Sequence, residues 1–397
     1  MIMDSTGPDS PYAERIALVL HGFEAGGAQR RTLALAGALA GLGARIDLLV
    51  VRADGPLRAE LPPTVRLTVI GGPAARLPAR SLRMAAAIPA LAAWVRRERP
   101  DVLMAAANHS ALATVLAYRL AGVPGTALAV RVSNAMVGGR KRLRDRLRRW
   151  AVRRTYGAVD AALCVSADLA RETAALVPAL ADRVTAIPNP VVEDDVAARA
   201  ALPPPHPWLA DGGPPVILGL GRLVRQKDFP TLLRAVARVW ARRPVRLLIL
   251  GEGEERGWLT RLADDLGIAG SVALPGFVPN PFPALAGAAG FVLSSRWEGM
   301  PGALIEAMAV GCPVASTDCP GGSREILEDG RLGPLVPVGD DLALAQAIET
   351  LLDRPADRGA LMARARDFSV AGAALAYRDA LRTAAARAAR RCGRTSG

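Results

Sequence analysis

Short apolar runs rich in β-formers alternate with alanine- and arginine-rich segments of helical period, and the alternation occurs twice. The first series is RIALVL (15–20), RIDLLV (45–50), VRLTVI (65–70), DVLMAA (101–106), TALAV (126–130) and DAALCV (160–165). Continuous apolar strands separated by helix-length segments predict a parallel sheet covered on both faces. A proline-rich interval, ALPPPHPWLADGGPP (201–215), interrupts the rhythm. It resumes with VILGL (216–220), VRLLIL (245–250), SVALP (271–275), GFVLS (290–294) and PVAST (313–317). The pattern predicts an α/β protein of two doubly wound, Rossmann-like domains facing a central cleft. The first spans 1–190, a linker 191–213, and the second 214–369, with a last helical stretch within 370–397. In such sheets ligands bind beyond the carboxyl ends of the strands, where loops turn into helices.

With 397 residues, 51% of them hydrophobic, there is enough chain for two cores, and disorder is not the expectation. Cys164, Cys312, Cys319 and Cys392 lack C-x-x-C spacing and no secretory pattern opens the chain, which points to a reducing, cytoplasmic compartment. No apolar run reaches the ~18 residues of a membrane-spanning helix, so any membrane contact is expected to be peripheral. A formal net charge of +13 predicts attraction to polyanions.

Three loops hold the chemistry-bearing residues. GLGRLVRQKDF (219–229) puts Arg222 and Lys227 between a strand and a helix, where two cations can neutralise a diphosphate. EGMPGALIEAM (298–308) puts Glu298 and Glu306 around the start of a helix. Pro301 suits its first turn, Gly299 and Gly302 allow close backbone approach, and Ala303, Leu304, Ala307 and Met308 form the stripe expected to face the sheet. A helix start offers unpaired N–H groups and partial positive charge to an anion. HGFEAGGAQRRTLALAGAL (21–39) supplies a glycine-rich loop and helix in the first domain, and His109 with Asn108 follows the DVLMAA strand. Each has an ordinary structural alternative: a solvated basic loop, a solvated Glu306, a dipole-balancing Glu298, a core His109. Ser133 and Asn134, after the next strand, are further candidates, and His21 reads as a strand end.

Taken together, EGMPGALIEAMAVGCPVASTDCPGGSREI (298–326), GRLVRQKDF (221–229), GGAQR (26–30), IPNPV (187–191) and LPGFVPN (274–280) resemble, in order and spacing, the retaining glycosyltransferases of the GT-B fold marked by an E-x7-E motif, family 4, group 1. The resemblance implies that the last helical stretch, within 370–397, crosses back onto the first domain, and it implies roles. Glu298 would bind hydroxyls of the transferred sugar, Glu306 the ribose, and Arg222 and Lys227 the diphosphate. Backbone N–H groups of Gly299, Met300, Gly302 and Ala303 would meet sugar and phosphate oxygens, Val278 the base, and Gly26 and Gly27 the diphosphate and acceptor. His109 would hold a sugar hydroxyl and the developing positive charge. Gln29 departs from the family's usual Glu, which puts a charged role there in doubt. No cofactor is implied, the nucleoside-diphosphate sugar being a co-substrate, and no metal is expected: the chain contains no D-x-D. A sugar-nucleotide epimerase of the same fold, or a non-catalytic polyanion-binding protein, is the alternative.

GGRKRLRDRLRRWAVRRTYG (138–157) carries nine Arg or Lys against Asp145. Leu143, Leu147, Trp150 and Ala151 make a narrow apolar stripe beneath a cationic face that includes Arg142, Arg144, Arg146, Arg148 and Arg149. Such a helix can lie on an anionic bilayer or pack on the core with its arginines solvated. Aromatic residues are only 4%, and no base-reading motif is present, so nucleic acid is not expected as a partner. The expected function is transfer of a hexose or N-acetylhexosamine from a nucleoside-diphosphate sugar, UDP-linked before GDP-linked, to a polyprenyl-linked or other glycan acceptor, at the inner face of the cytoplasmic membrane.

Overall fold

The computed structural model describes residues 14–24, 26–134 and 143–394. The chain divides into two compact units, Met1–Pro190 with Val370–Gly397, and Val191–Ser369.

The first unit holds seven parallel strands among the described residues: β1 (Arg15–Leu20), β2 (Arg45–Val50), β3 (Arg66–Val69), β4 (Val102–Ala105), β5 (Ala127–Val132), β6 (Ala161–Cys164) and β7 (Val184–Ala186). Their order is β3-β2-β1-β4-β5-β6-β7. Ile16 registers with Ile46 on one side and Val102 on the other. Residues 16–20 and 102–105 are wholly buried, as strands covered on both faces must be. Strand order reverses between β1 and β4, the topological switch point at which this kind of sheet opens a crevice.

The helix Val370–Arg394 packs on this unit, against the helix Gly27–Gly41 and β5. Ala374, Tyr377, Leu381, Ala384 and Ala388 recur every three or four residues and are buried, forming one apolar stripe.

The second unit is built from β8 (Val216–Leu220), β9 (Arg246–Leu250), β10 (Val272–Gly276), β11 (Gly290–Leu293), β12 (Val314–Thr317) and β13 (Leu335–Val336), in the order β10-β9-β8-β11-β12-β13. All pairs are parallel, and the switch point lies between β8 and β11. The interval expected to be a linker is instead folded into this unit. Val192 bridges Ser369, the helix Val196–Ala200 packs on the helix Phe282–Gly287, and the Arg199 guanidinium lies 4.7 Å from the Phe282 ring centroid. Asn280 Nδ2 donates to the Arg199 carbonyl at 2.9 Å. Proline content marked a break in the strand rhythm, but apolar and backbone contacts anchor the segment.

Candidate functional site

In the second unit, two loops that follow the switch-point strands are stitched together. After β8 the chain passes Gly221, whose φ of 148° lies in the region that favours glycine and where a Cβ would stand 2.8 Å from Lys227 Cε. Lys227 thus folds back over the loop. Asp228 follows in the left-handed region at φ 49°, held there by Arg296 Nη2 and Thr231 Oγ1, each donating at 2.9 Å. After β11, Ser294 Oγ donates to the Lys227 carbonyl at 2.7 Å, and Arg296 N to the Gln226 carbonyl at 2.8 Å. Gln226 Nε2 returns a bond to the Trp297 carbonyl at 2.9 Å.

This stitching brings Lys227 Nζ to 2.7 Å from Glu298 Oε1, with side-chain exposures of 16% and 9%. Ser295 Oγ donates to the same oxygen at 2.7 Å. Glu298 Oε2 takes part in neither of these bonds. Behind Glu298, Gly321 is at φ 124° and a Cβ there would stand 2.3 Å from the Glu298 carbonyl; Gly322 N donates to the Gly299 carbonyl at 2.8 Å. The GG pair after β12 therefore lets the glutamate loop pack tightly.

The helix Gly302–Ala309 starts from Pro301. Helix geometry leaves the N–H groups of its first turn, Gly302 and Ala303 among them, without intrahelical acceptors. Leu304, Ile305, Ala307 and Met308 are fully buried, and Ala303 is only half-buried, so the core stripe is shifted from the expected one by exchanging Ala303 for Ile305. Met300 and Glu306 are also buried, which removes the solvated reading of Glu306. Arg222 is exposed on the first loop and makes no side-chain pair among the described residues, leaving its guanidinium available. Val278 is half-buried beyond β10, beside the half-exposed Phe277, an aromatic the motif reading passed over.

In the first unit the switch point is occupied by two histidines. His21 ends β1 fully buried, with Nδ1 bonded to Glu24 Oε1, while Gln29 Nε2 reaches Glu24 Oε2 at 3.3 Å. Burial pushes the Glu24 carboxyl up, but the His21 hydrogen bond and the nearby Arg80 guanidinium outweigh it and hold it at about 2. Gly26 leaves room for Gln29, whose Oε1 would stand 2.7 Å from a Cβ there; Gly27 opens the helix with nothing close to it. Gln29 thus serves as a neutral brace for Glu24. His109, on the helix Asn108–Ala121, meets His21 edge to face at 6.3 Å. Its Nε2 is buried with no hydrogen-bond partner among the described residues. Burial, with Arg80 adding to it and Glu24 opposing, pushes its pKa down to about 4, so the imidazole is neutral at physiological pH. A neutral ring with an unsatisfied nitrogen suits a hydroxyl. Asn108 is spent on structure: its Oδ1 accepts from Ser133 N at 2.8 Å, and its Nδ2 donates to the Asn134 carbonyl at 2.7 Å.

The basic segment forms the helix Leu143–Tyr156. Arg142 and the side chains of Arg144 and Arg148 lie outside the described residues. Arg146 is exposed, Arg149 half-buried, and Trp150 63% exposed. The neighbouring helix Asn108–Ala121 turns Leu112, Leu116 and Leu120 outward, four residues apart and 38–49% exposed, a stripe that the strand-and-loop reading did not single out. No helix among the described residues is long and apolar enough to cross a membrane, and no group of three His, Cys, Asp or Glu among them is placed to hold a metal ion.

Comparison with known proteins assigns each half. Residues 25–195 match the family model described as Glycosyltransferase Family 4, and residues 214–354 the one described as Glycosyl transferases group 1. The chain is similar to the lipopolysaccharide core biosynthesis glycosyltransferase LpsE of Rhizobium meliloti, 40% identical over 151 residues, which are 36% of this chain and 43% of that one. It is also similar to the N-acetylgalactosamine-N,N'-diacetylbacillosaminyl-diphospho-undecaprenol 4-alpha-N-acetylgalactosaminyltransferase of Campylobacter jejuni, 35% identical over 170 residues, 42% of this chain and 45% of that one. The chain thus spans less than half the length of these curated relatives. Among solved structures, HepE from Anabaena in complex with UDP and glucose superposes with a TM-score of 0.72 at 19% identity, covering 92% of this chain and 98% of that one. The apo form of the lipopolysaccharide outer core galactosyltransferase WaaB gives 0.66 at 18% identity over the same shares. With one model of the family matching each unit in turn, and the fold shared with these structures, the chain belongs to the family 4, group 1 glycosyltransferases of the GT-B fold.

Proposed function

We propose that this protein is a retaining glycosyltransferase that moves a hexose or N-acetylhexosamine from a nucleoside-diphosphate sugar to a lipid-linked or cell-surface glycan. The observation that carries the reading is the Lys227–Glu298 pair beside the first turn of the helix Gly302–Ala309. Breaking a glycosyl–phosphate bond sends an electron pair onto the diphosphate, and fixed cations with helix-end N–H groups stabilise that charge as it develops. Lys227 and the exposed Arg222 are the cations. Glu298, anchored through Oε1, keeps Oε2 for a sugar hydroxyl, and the buried Glu306 serves the ribose. The acceptor oxygen attacks the face the diphosphate leaves, its proton passing to a donor phosphate oxygen, while His109 holds a sugar hydroxyl. This scheme calls on no cofactor and no metal.

A UDP-sugar is favoured as donor, supported by the fold shared with HepE, which was crystallised with UDP and glucose. Lipid-linked or lipopolysaccharide acceptors are supported by the names of the relatives from Campylobacter and Rhizobium. We place the protein peripherally on the inner face of the cytoplasmic membrane. Arg146, Arg149 and Trp150, together with the exposed Leu112, Leu116 and Leu120, join cationic and apolar surface in the way an anionic bilayer attracts. Transfer assays across UDP-, GDP-, ADP- and TDP-sugars with Lys227→Ala and Glu306→Ala test the assignment; unimpaired kinetics in both variants would remove its basis.

A further inference from the structure

An open basin of about 740 Å³ lies in the first unit beyond the ends of β2 and β3, a size suited to a small saccharide. Its wall combines the apolar Val69, Leu77 and Pro78 with the guanidinium groups of Arg52, Arg76 and Arg83 and the carboxylate of Asp54. Arg52 is neutralised by Asp54, which accepts from its Nε at 2.9 Å. Arg76 is exposed and makes no ion pair among the described residues.

Arg83 is the distinctive member. Its Nε donates to the Leu77 carbonyl at 2.6 Å and its Nη2 to the Pro78 carbonyl at 2.8 Å. Its Nη1 lies 3.5 Å from His21 Nε2, the nitrogen left as acceptor when Nδ1–H donates to Glu24. With His21 in that tautomer the guanidinium has three acceptors, two of them backbone carbonyls and none a carboxylate. The neighbouring acids are already engaged, Asp54 by Arg52 and Glu24 by His21, Gln29 and Arg80. An Arg has five N–H donors, so Arg83 keeps a net positive charge and two donors, held in place before any ligand arrives. Ordering that is already complete does not have to be repeated on binding, and it favours an anion of fixed position.

We propose that this basin seats a negatively charged acceptor: a saccharide carrying a phosphate or carboxylate, whose charge is held by Arg83 and Arg76. The Glu24–His21 pair acts as a positioning device that keeps Arg83 turned into the basin and links it to the glycine-rich loop. This rests on the glycosyl-transfer reading, which it deepens by naming the acceptor's charge.

The test is calorimetric binding to the full chain in saturating UDP, which fills the diphosphate site. N-acetylglucosamine is compared with its 6-phosphate, and glucose with glucuronate. Two charge-assisted hydrogen bonds predict at least about tenfold tighter binding of an anionic sugar than of its neutral parent. R76Q/R83Q should abolish the preference, and the exposed single variant R76Q should reduce it about threefold. Preference for the phosphate alone, or for glucuronate alone, identifies the charged group and supports the proposal either way. Equal binding of charged and neutral sugars to the wild type, or an undiminished preference in R76Q/R83Q, overturns it. The melting-temperature rise with UDP, unchanged in R76Q/R83Q, verifies that the variant is folded. Absence of that rise from the wild type, with the anion preference intact, would instead count against the glycosyl-transfer reading and leave the basin standing.

Discussion

At the ends of β8 and β11 a lysine meets a glutamate at 2.7 Å, whereas at the ends of β1 and β4 two imidazoles meet edge to face at 6.3 Å. Both pairs stand where the strand order of their sheet reverses. In the second unit the pair is mounted on two loops that exchange several hydrogen bonds, so cation and carboxylate are fixed before a donor arrives. In the first unit, the neutral His109 has an unsatisfied nitrogen, and charge is displaced outward to Glu24, Arg80 and Arg83. Under the proposed function, the difference separates two tasks. Holding a pyrophosphate needs built-in charge, the same for every nucleotide sugar. Holding an acceptor needs hydroxyl-sized polar contacts and a wall whose charge suits one substrate class.

The comparison breaks most visibly at Lys227. Lys227→Ala is expected to lower kcat for transfer about 10²–10³-fold, the usual cost of removing one preorganised group that stabilises developing charge. It should also lower the melting temperature, because Glu298 is left buried with only Ser295. Steady-state kinetics and thermal unfolding would measure both; activity within twofold of wild type would mean that the second unit's charge is not catalytic.

The surface of the first unit gives the next largest effect. At ~1 kcal/mol per basic residue near an anionic surface, R146Q/R149Q should weaken binding to phosphatidylserine-containing vesicles roughly 30-fold while leaving donor hydrolysis intact. Co-sedimentation that shows no loss would dismiss the membrane reading. Glu306→Gln, which keeps the shape and removes the charge, is expected to raise the donor KM about tenfold with a smaller change in kcat, as loss of a charged hydrogen bond to ribose would. An unchanged KM would detach Glu306 from the donor.

A stability measurement distinguishes the two switch points by pH. The His109 pKa is depressed from 6.5 to about 4, so between those values the unfolded chain binds a proton that the folded one does not. Stability therefore rises with pH across that window, by about 3 kcal/mol in all, and is fully present above pH 6.5. In His109→Phe this part of the slope should vanish in urea melts recorded from pH 4.5 to 7. An identical slope in the variant would show that the ring is solvated.

Much of this was legible in the chain. Strands β1 to β6 and β8 to β12 lie within a residue or two of the apolar runs that announce them; except in the partly exposed edge strands β3 and β10, burial on both faces leaves a continuous hydrophobic signature. The two short edge strands, Val184–Ala186 and Leu335–Val336, were not singled out. Two or three residues, partly exposed at a sheet edge, carry no period to detect. Glu298, Glu306, Arg222 and Lys227 were visible as motif positions, yet the contact between Lys227 and Glu298 was not. It spans 71 residues and depends on Ser294, Arg296 and Gln226 fastening one loop to the other. Glu24 was passed over, and His21 read only as a strand end, because a glutamate beside a glycine-rich loop has no spacing rule that ties it to a strand-end histidine. The H-x-x-E order that puts the two within hydrogen-bonding reach was the available signal.

The central claim is that Lys227 and its neighbours at the second switch point receive the diphosphate of a sugar nucleotide. Its most direct test is titration of UDP and UDP-sugars into the wild-type chain and into Lys227→Ala, read by calorimetry. Wild-type binding that weakens at least about tenfold in the variant, as loss of a charge-assisted contact requires, is the expected result. Equal affinity in both chains, or no binding of any nucleoside-diphosphate sugar to the wild type, would contradict it.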